Sequence, residues 1–374
     1  MFTYVRFARL ALVLALFLAT VAGSGAASAA VRWKGDAVYT ATNAASGNAV
    51  MVFNRDQAGM LTAAGSYPTG GLGSGDGLGS QGAVILSENG RSLFVVNAGS
   101  DTISSFAVDR DGLTLIDTVA SGGDRPISLT LYHRVLYVLN GGSSTIAGFE
   151  VDHAGRLTMI PDSTRPLSSS MANPAQISFD PDGNVLVVTE KATNMITTFK
   201  VNGDGEPSGP MAQPSAGQTP FGFAFRHDGT LLVSEAFGGA PNQSATSSYM
   251  LDRSGHLSVI SASVSTTETA ACWLVVTNDG RYAYTTNTGS SSISGYHVAK
   301  DGSLMLLDAD GVTGSTPMGS LPIDAALSKN SRFLYVLSGG SNTISGFAVA
   351  DDGSLMPLGM VGGLPASAVG LAAR

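Results

Sequence analysis

The sequence has one cysteine among 374 residues, two tryptophans, and only 13% charged residues. A single cysteine, Cys272, excludes an intramolecular disulfide. It lies in the apolar run 270–276 and reads as a buried, inert thiol. Positive charge is also scarce, with 20 Lys and Arg against 28 Asp and Glu, for a formal net charge of -8. Such a chain cannot neutralise a phosphate backbone, so no nucleic-acid partner is expected. No Lys/Arg cluster suits an anionic membrane surface. The five histidines (His133, His153, His227, His256 and His297) share no metal-ligand spacing, and no serine sits in a G-x-S-x-G elbow.

The N-terminus differs from the rest. Arg6 and Arg9 precede an apolar run over 10–22, followed by small residues ending Ala27-Ser28-Ala29. This order is that of a cleavable export signal, with an apolar stretch too short to span a bilayer comfortably. Residues 1–29 are therefore expected to be a signal peptide and 30–374 a single secreted or periplasmic domain, with no stable membrane span after cleavage.

What the chain has in abundance is glycine, 47 residues, and much of it is periodic. The stretch LFVVNAGSDTISSFAVDRDGL (93–113) recurs at 136–157 and 334–355, and more loosely at 283–304. An aromatic followed six residues later by glycine marks seven copies: Phe53/Gly59, Phe106/Gly112, Phe149/Gly155, Phe199/Gly205, Tyr249/Gly255, Tyr296/Gly302 and Phe347/Gly353. Each copy reads as short, β-branched strands, with a turn glycine that follows Asp, Asn or a small residue. Four strands per copy (A to D, inside to outside) and seven copies predict an all-β, seven-bladed β-propeller. The first copy lacks an A strand, and the chain ends with a surplus strand at 366–371. That strand should complete blade one and close the ring.

The glycine-rich stretch 70–82 joins blades one and two. No helix follows it, so it reads as a mobile rim loop and not a phosphate cradle. The segment 237–248 enlarges a turn in blade five, and Asn242-Gln243-Ser244 has glycosylation spacing.

Candidate chemistry lies where strand B ends and strand A begins, on one face of the ring. The B strands end in Asn43, Asn97, Asn140, Glu190, Glu235, Asn287 and Ser338. Asn and Ser there satisfy turn backbone. Glu190 and Glu235 replace the turn-former in adjacent blades, where a carboxylate offers no advantage. They are therefore candidates for an acid/base pair or a cation site, with Ca²⁺ the cation to test. If they were turn residues alone, exchange for Asn would leave stability unchanged or slightly improved. Otherwise no cofactor is expected. The starts of the A strands contribute Arg125, the obvious anion-binding group, with Gln81, Gln176 and Asp324. Asn97, Asn140, Gln176, Asn287 and Asp324 are the candidate ligand-binding residues.

The repeats, most clearly SENGRSLFVVNAGSDTISSFAVDRDG (87–112), resemble the lactonase family of seven-bladed propellers, which includes 6-phosphogluconolactonase-type enzymes and fungal carboxymuconate cyclase. The resemblance implies ring-opening of a small lactone, or its reverse, at the channel mouth. Glu190 or Glu235 would be general base and Arg125 the oxyanion partner. The family's enzymes carry Pro-Arg-His at the start of an inner strand. The comparable stretches here read Thr219-Pro220-Phe221-Gly222, Arg125-Pro126-Ile127 and Asn173-Pro174-Ala175. A non-catalytic extracellular propeller, binding a ligand, glycan or protein on the same face, is the alternative. A monomer is expected in either case. With two tryptophans, the chain cannot pack a quinone cofactor through repeated indoles.

Overall fold

The structure is a computed structural model and describes residues 36–374. The export signal expected over 1–29 lies outside the described residues. Those residues form seven antiparallel sheets, each running from an inner strand A to an outer strand D. The inner strands are Val369–Ala373, Val84–Leu86, Pro126–Tyr132, Pro174–Phe179, Pro220–Phe225, Ala271–Val276 and Pro322–Leu327, for blades one to seven. In blades three and six strand D is split into two short pieces, both paired with strand C. No described helix is long and apolar enough to cross a membrane.

The period seen in the sequence has a double cause. All seven spaced aromatics are buried, from Phe53 and Tyr296 at 0% exposure to Phe347 at 2%. Burying a side chain of that size contributes roughly 1.5–3 kcal/mol. The paired glycines turn the chain at positive φ, +85° at Gly353 for example. Six of their carbonyls also accept a hydroxyl from the preceding blade. Tyr137 bonds Gly205, Thr198 bonds Gly255, Ser248 bonds Gly302, Tyr284 bonds Gly353, Tyr335 bonds Gly59 and Ser105 bonds Gly155. At six of the seven seams the turn glycine thus also ties one blade to the next.

Closure follows the expected logic, with shifted bounds. The surplus strand pairs over Val369–Ala373, not 366–371, and lies antiparallel to Ala37–Ala41 as the inner strand of blade one. Arg374 N–H donates to Ala37 O at 2.9 Å, and Ser367 Oγ to Thr42 O at 2.7 Å.

Candidate functional site in the axial channel

Strand A begins the same way in most blades. Arg125, Asn173, Thr219, Ala270 and Leu321 all have φ between 47° and 58°, and each precedes an inner strand. The carbonyl of each accepts the N–H of the residue just after strand B, as Arg125 O does from Gly141 at 2.8 Å. A β-bulge follows, because the register slips after Pro126, Pro174, Pro220, Ala271 and Pro322. Bulges re-aim side chains. Here they turn Gln176, Trp273 and Asp324 towards the axis, alongside Gln81 from blade two.

The glycine-rich stretch corrects the sequence reading. Its end is not a mobile rim loop but a plug through the axis. Ser80 Oγ donates to Ile127 O at 2.7 Å, and Gln81 N–H to Ala175 O at 3.1 Å. The Trp273 indole N–H donates to Ser80 O at 3.0 Å. The Gln81 amide crosses to blade six, donating to Leu274 O at 2.9 Å and accepting from Leu274 N–H at 3.1 Å. Gly222 must be glycine for this path, because a Cβ there would strike the Gln81 carboxamide and the Cys272 carbonyl. Lys191 Nζ donates to Gly79 O at 2.6 Å and stands 4.6 Å from the centre of the Phe221 ring. It is not paired with Glu190. Burial, with the Arg125 guanidinium adding to it, lowers the Lys191 ammonium to about 8 although the Cys272 thiol opposes this. Cys272 is buried as expected, and burial raises its thiol to about 11.

Glu190 and Glu235 are each 0% exposed and held within their own blades. Glu190 accepts from the Ser168 N–H and hydroxyl, from Thr193 Oγ1 at 2.7 Å and from Thr197 Oγ1 at 2.6 Å. Glu235 accepts from Gly217 N–H at 2.8 Å, from the Ser247 hydroxyl and from Ser263 Oγ at 2.7 Å. The two share none of these donors. A carboxylate does have an advantage here: it reaches the backbone of the preceding D–A connection and straps it to strand C. Desolvation raises the Glu235 carboxyl above its ordinary range, against those hydrogen bonds.

Asn97 does the same job with a shorter arm, accepting from Thr69 Oγ1 at 2.7 Å and donating to Ser104 Oγ at 2.8 Å. Asn140 donates to Ser121 O and Asn287 to Ser294 Oγ, and all three asparagines are 0% exposed. Arg125 is exposed at its turn, where its N–H donates to Asp101 Oδ1 at 2.7 Å. Among the described residues no three His, Cys, Asp or Glu side chains gather to hold a metal ion.

What the structure does bring together is Gln81, Gln176 and Asp324. Beneath the plug they line an axial cavity of about 370 Å³, together with Thr130, Ser178 and aliphatic residues of the inner strands. Gln176 bonds both backbone groups of Phe223, at 2.7 and 2.9 Å, so its carboxamide is fixed. Asp324 is 1% exposed. Its Oδ1 accepts from Ala325 N–H at 2.8 Å, while Oδ2 makes no hydrogen bond. Burial drives its carboxyl well above the ordinary range, outweighing the backbone N–H groups of Ala325 and Leu371. None of Glu190, Glu235 and Arg125 lines this cavity.

A pH dependence follows. A raised carboxyl keeps in the folded state a proton that the unfolded chain releases near 3.8. Stability must therefore fall as pH rises from that value through the folded-state titration. Asp324→Asn keeps the neutral shape and removes the titration. The variant should melt above the wild type at pH 8, with the gap closing towards pH 4. Thermal unfolding across that range checks it, and a gap that does not change with pH contradicts it.

The geometry agrees with known relatives. A family model described as "Lactonase, 7-bladed beta-propeller" matches residues 8–166, 132–236 and 242–360. No curated protein matches. Among solved structures, the periplasmic gluconolactonase of Pseudomonas aeruginosa is 18% identical, covering 90% of this chain and 98% of its own, with a TM-score of 0.69. A Lactobacillus plantarum protein is 17% identical over 91% of this chain and 99% of its own, with a TM-score of 0.71. A candidate 6-phosphogluconolactonase from Bacteroides fragilis is 18% identical over 91% and 98%, with a TM-score of 0.68. At these identities the structures speak for the fold, and the family match spans most of the sequence. The chain belongs to the lactonase family of seven-bladed β-propellers.

Proposed function

We propose that the chain is an exported lactonase-type propeller that opens a small lactone ring in its axial cavity. The observation that carries this reading is Asp324, a carboxyl fully buried beside the cavity with Oδ2 unbonded. A protonated carboxyl can donate to a lactone carbonyl and stabilise charge developing on its oxygen. Water would bond to the carbonyl carbon as the ring C–O bond breaks, and the proton that water gives up would pass to the ring oxygen. Glu190 and Glu235 stand behind saturated hydrogen bonds, so Asp324 supports the acid role better than either.

A panel of small lactones followed by proton release tests the reading. At least one should be opened above the uncatalysed rate, with kcat/KM at least tenfold lower in Asp324→Asn. If no lactone is consumed, the reading fails. The alternative, a propeller that binds a ligand without turnover, would then stand. The hydrogen-bond saturation of both glutamates favours it, since neither is free to act as a base.

A further inference from the structure

The channel has two ends, and the structure treats them differently. At the end where strands B hand over to strands C, the segment 79–82 fills the axis, bonded to blades three, four and six. At the other end, among the A–B turns, a wider cavity of about 560 Å³ opens between His227, Asn278, Ser328 and Lys329. The two cavities share Gln81, Leu86 and Ala373, so they adjoin along blades one and two as one shaft, the wider reaching blades five and six and the smaller blades three and four.

Charge is distributed unevenly along that shaft. Lys329, Arg374, His227 and Glu88 stand at the wide end. In the smaller cavity, Asp324 is the sole titratable side chain among the described lining residues; the rest are aliphatic side chains, glycine and neutral polar groups. A formal charge moved there would lose its water and gain no partner, which is costly. No cationic side chain lines the smaller cavity to pair with an anion.

We propose that ligands reach the cavity from the face of the A–B turns, opposite the plugged end, and that the cavity takes an uncharged compound and rejects anions. This rests on the cavity assigned above but not on its turning over a lactone. Within the lactone class it selects rings without a phosphate or carboxylate.

Thiol accessibility tests the proposal without a known ligand. Cys272 is replaced by Ser, and Ser178, which is half-buried on the cavity wall, is replaced by Cys. The probes are uncharged methyl methanethiosulfonate and anionic sulfonatoethyl methanethiosulfonate, each rate divided by that for a free model thiol. The uncharged reagent should label Ser178→Cys, and the anionic one should be at least tenfold slower. Leu86→Trp and Ala373→Trp, each added where the two cavities meet, should slow the uncharged reagent at least tenfold; two variants guard against one failing to fold. Lys191→Ala, which loosens the plug, should leave the rate within twofold. Equal rates for the two reagents would overturn the charge rule. Unhindered labelling in the tryptophan variants, or faster labelling in Lys191→Ala, would overturn the route. Failure of the uncharged reagent to label at all would overturn both. If labelling behaves as expected while no lactone is consumed, the lactonase reading falls and this inference stands.

Discussion

Deleting residues 364–374 should abolish soluble folding. The deletion removes the inner strand of blade one and bares the edge of Ala37–Ala41, whose five residues are all 0% exposed in the intact ring. It also strips Leu364, Ala368 and Leu371 from the cluster packed around Val38, Phe53 and Tyr335. An unpaired, apolar strand edge at the seam of a ring invites pairing between chains. The expected result is insoluble or aggregated protein, read by soluble yield and size-exclusion chromatography. Gly370→Val offers a milder version. Gly370 has φ +73°, and a Cβ there would press on Val84, so the closing strand would have to shift. That variant should fold but melt lower. A truncated chain with native circular dichroism and an unchanged melting temperature would refute closure by this strand.

Seven blades, their aromatics and the terminal closure were legible because each rests on a local rule repeated along the chain. An aromatic six residues before a glycine demands a buried strand and a tight turn wherever it occurs. The channel was not legible in this way. Its plug depends on contacts between residues far apart in sequence, such as Gln81 with Leu274 and Trp273 with Ser80. Glycine density in 70–82 signals conformational freedom but not where the chain goes. The bulge that aims Asp324 at the axis had a faint mark, proline at the start of four inner strands. Gln176 and Asp324 stood out by their place just inside those strands, and both line the cavity. Glu190 and Glu235 stood out because they break the asparagine pattern. That break reflects a longer reach to backbone, which composition alone does not distinguish from chemistry.

Exchanging both glutamates separates those two meanings. The shorter side chains of Glu190→Asn and Glu235→Asn restore the pattern of the other blades but fall short of Ser168 N–H and Gly217 N–H. Each buried donor left without an acceptor costs roughly 1–3 kcal/mol. The double variant should therefore melt well below the wild type, the reverse of what a pure turn role implied. Glu235→Ala should be worse than Glu235→Gln, because an amide oxygen in place of Oε1 still serves two of the three donors, Gly217 N–H and the Ser247 hydroxyl. The pH profile adds a second sign. The Glu235 carboxyl is raised above 4.5, so its ionisation weakens the folded state as pH increases through that titration, and Glu235→Gln should lose this fall. Thermal unfolding between pH 4 and 8, with and without millimolar Ca²⁺, reads all of these together. A calcium-dependent rise confined to the wild type would instead make the pair a cation site. Melting temperatures unchanged in the double variant would remove the strapping role altogether.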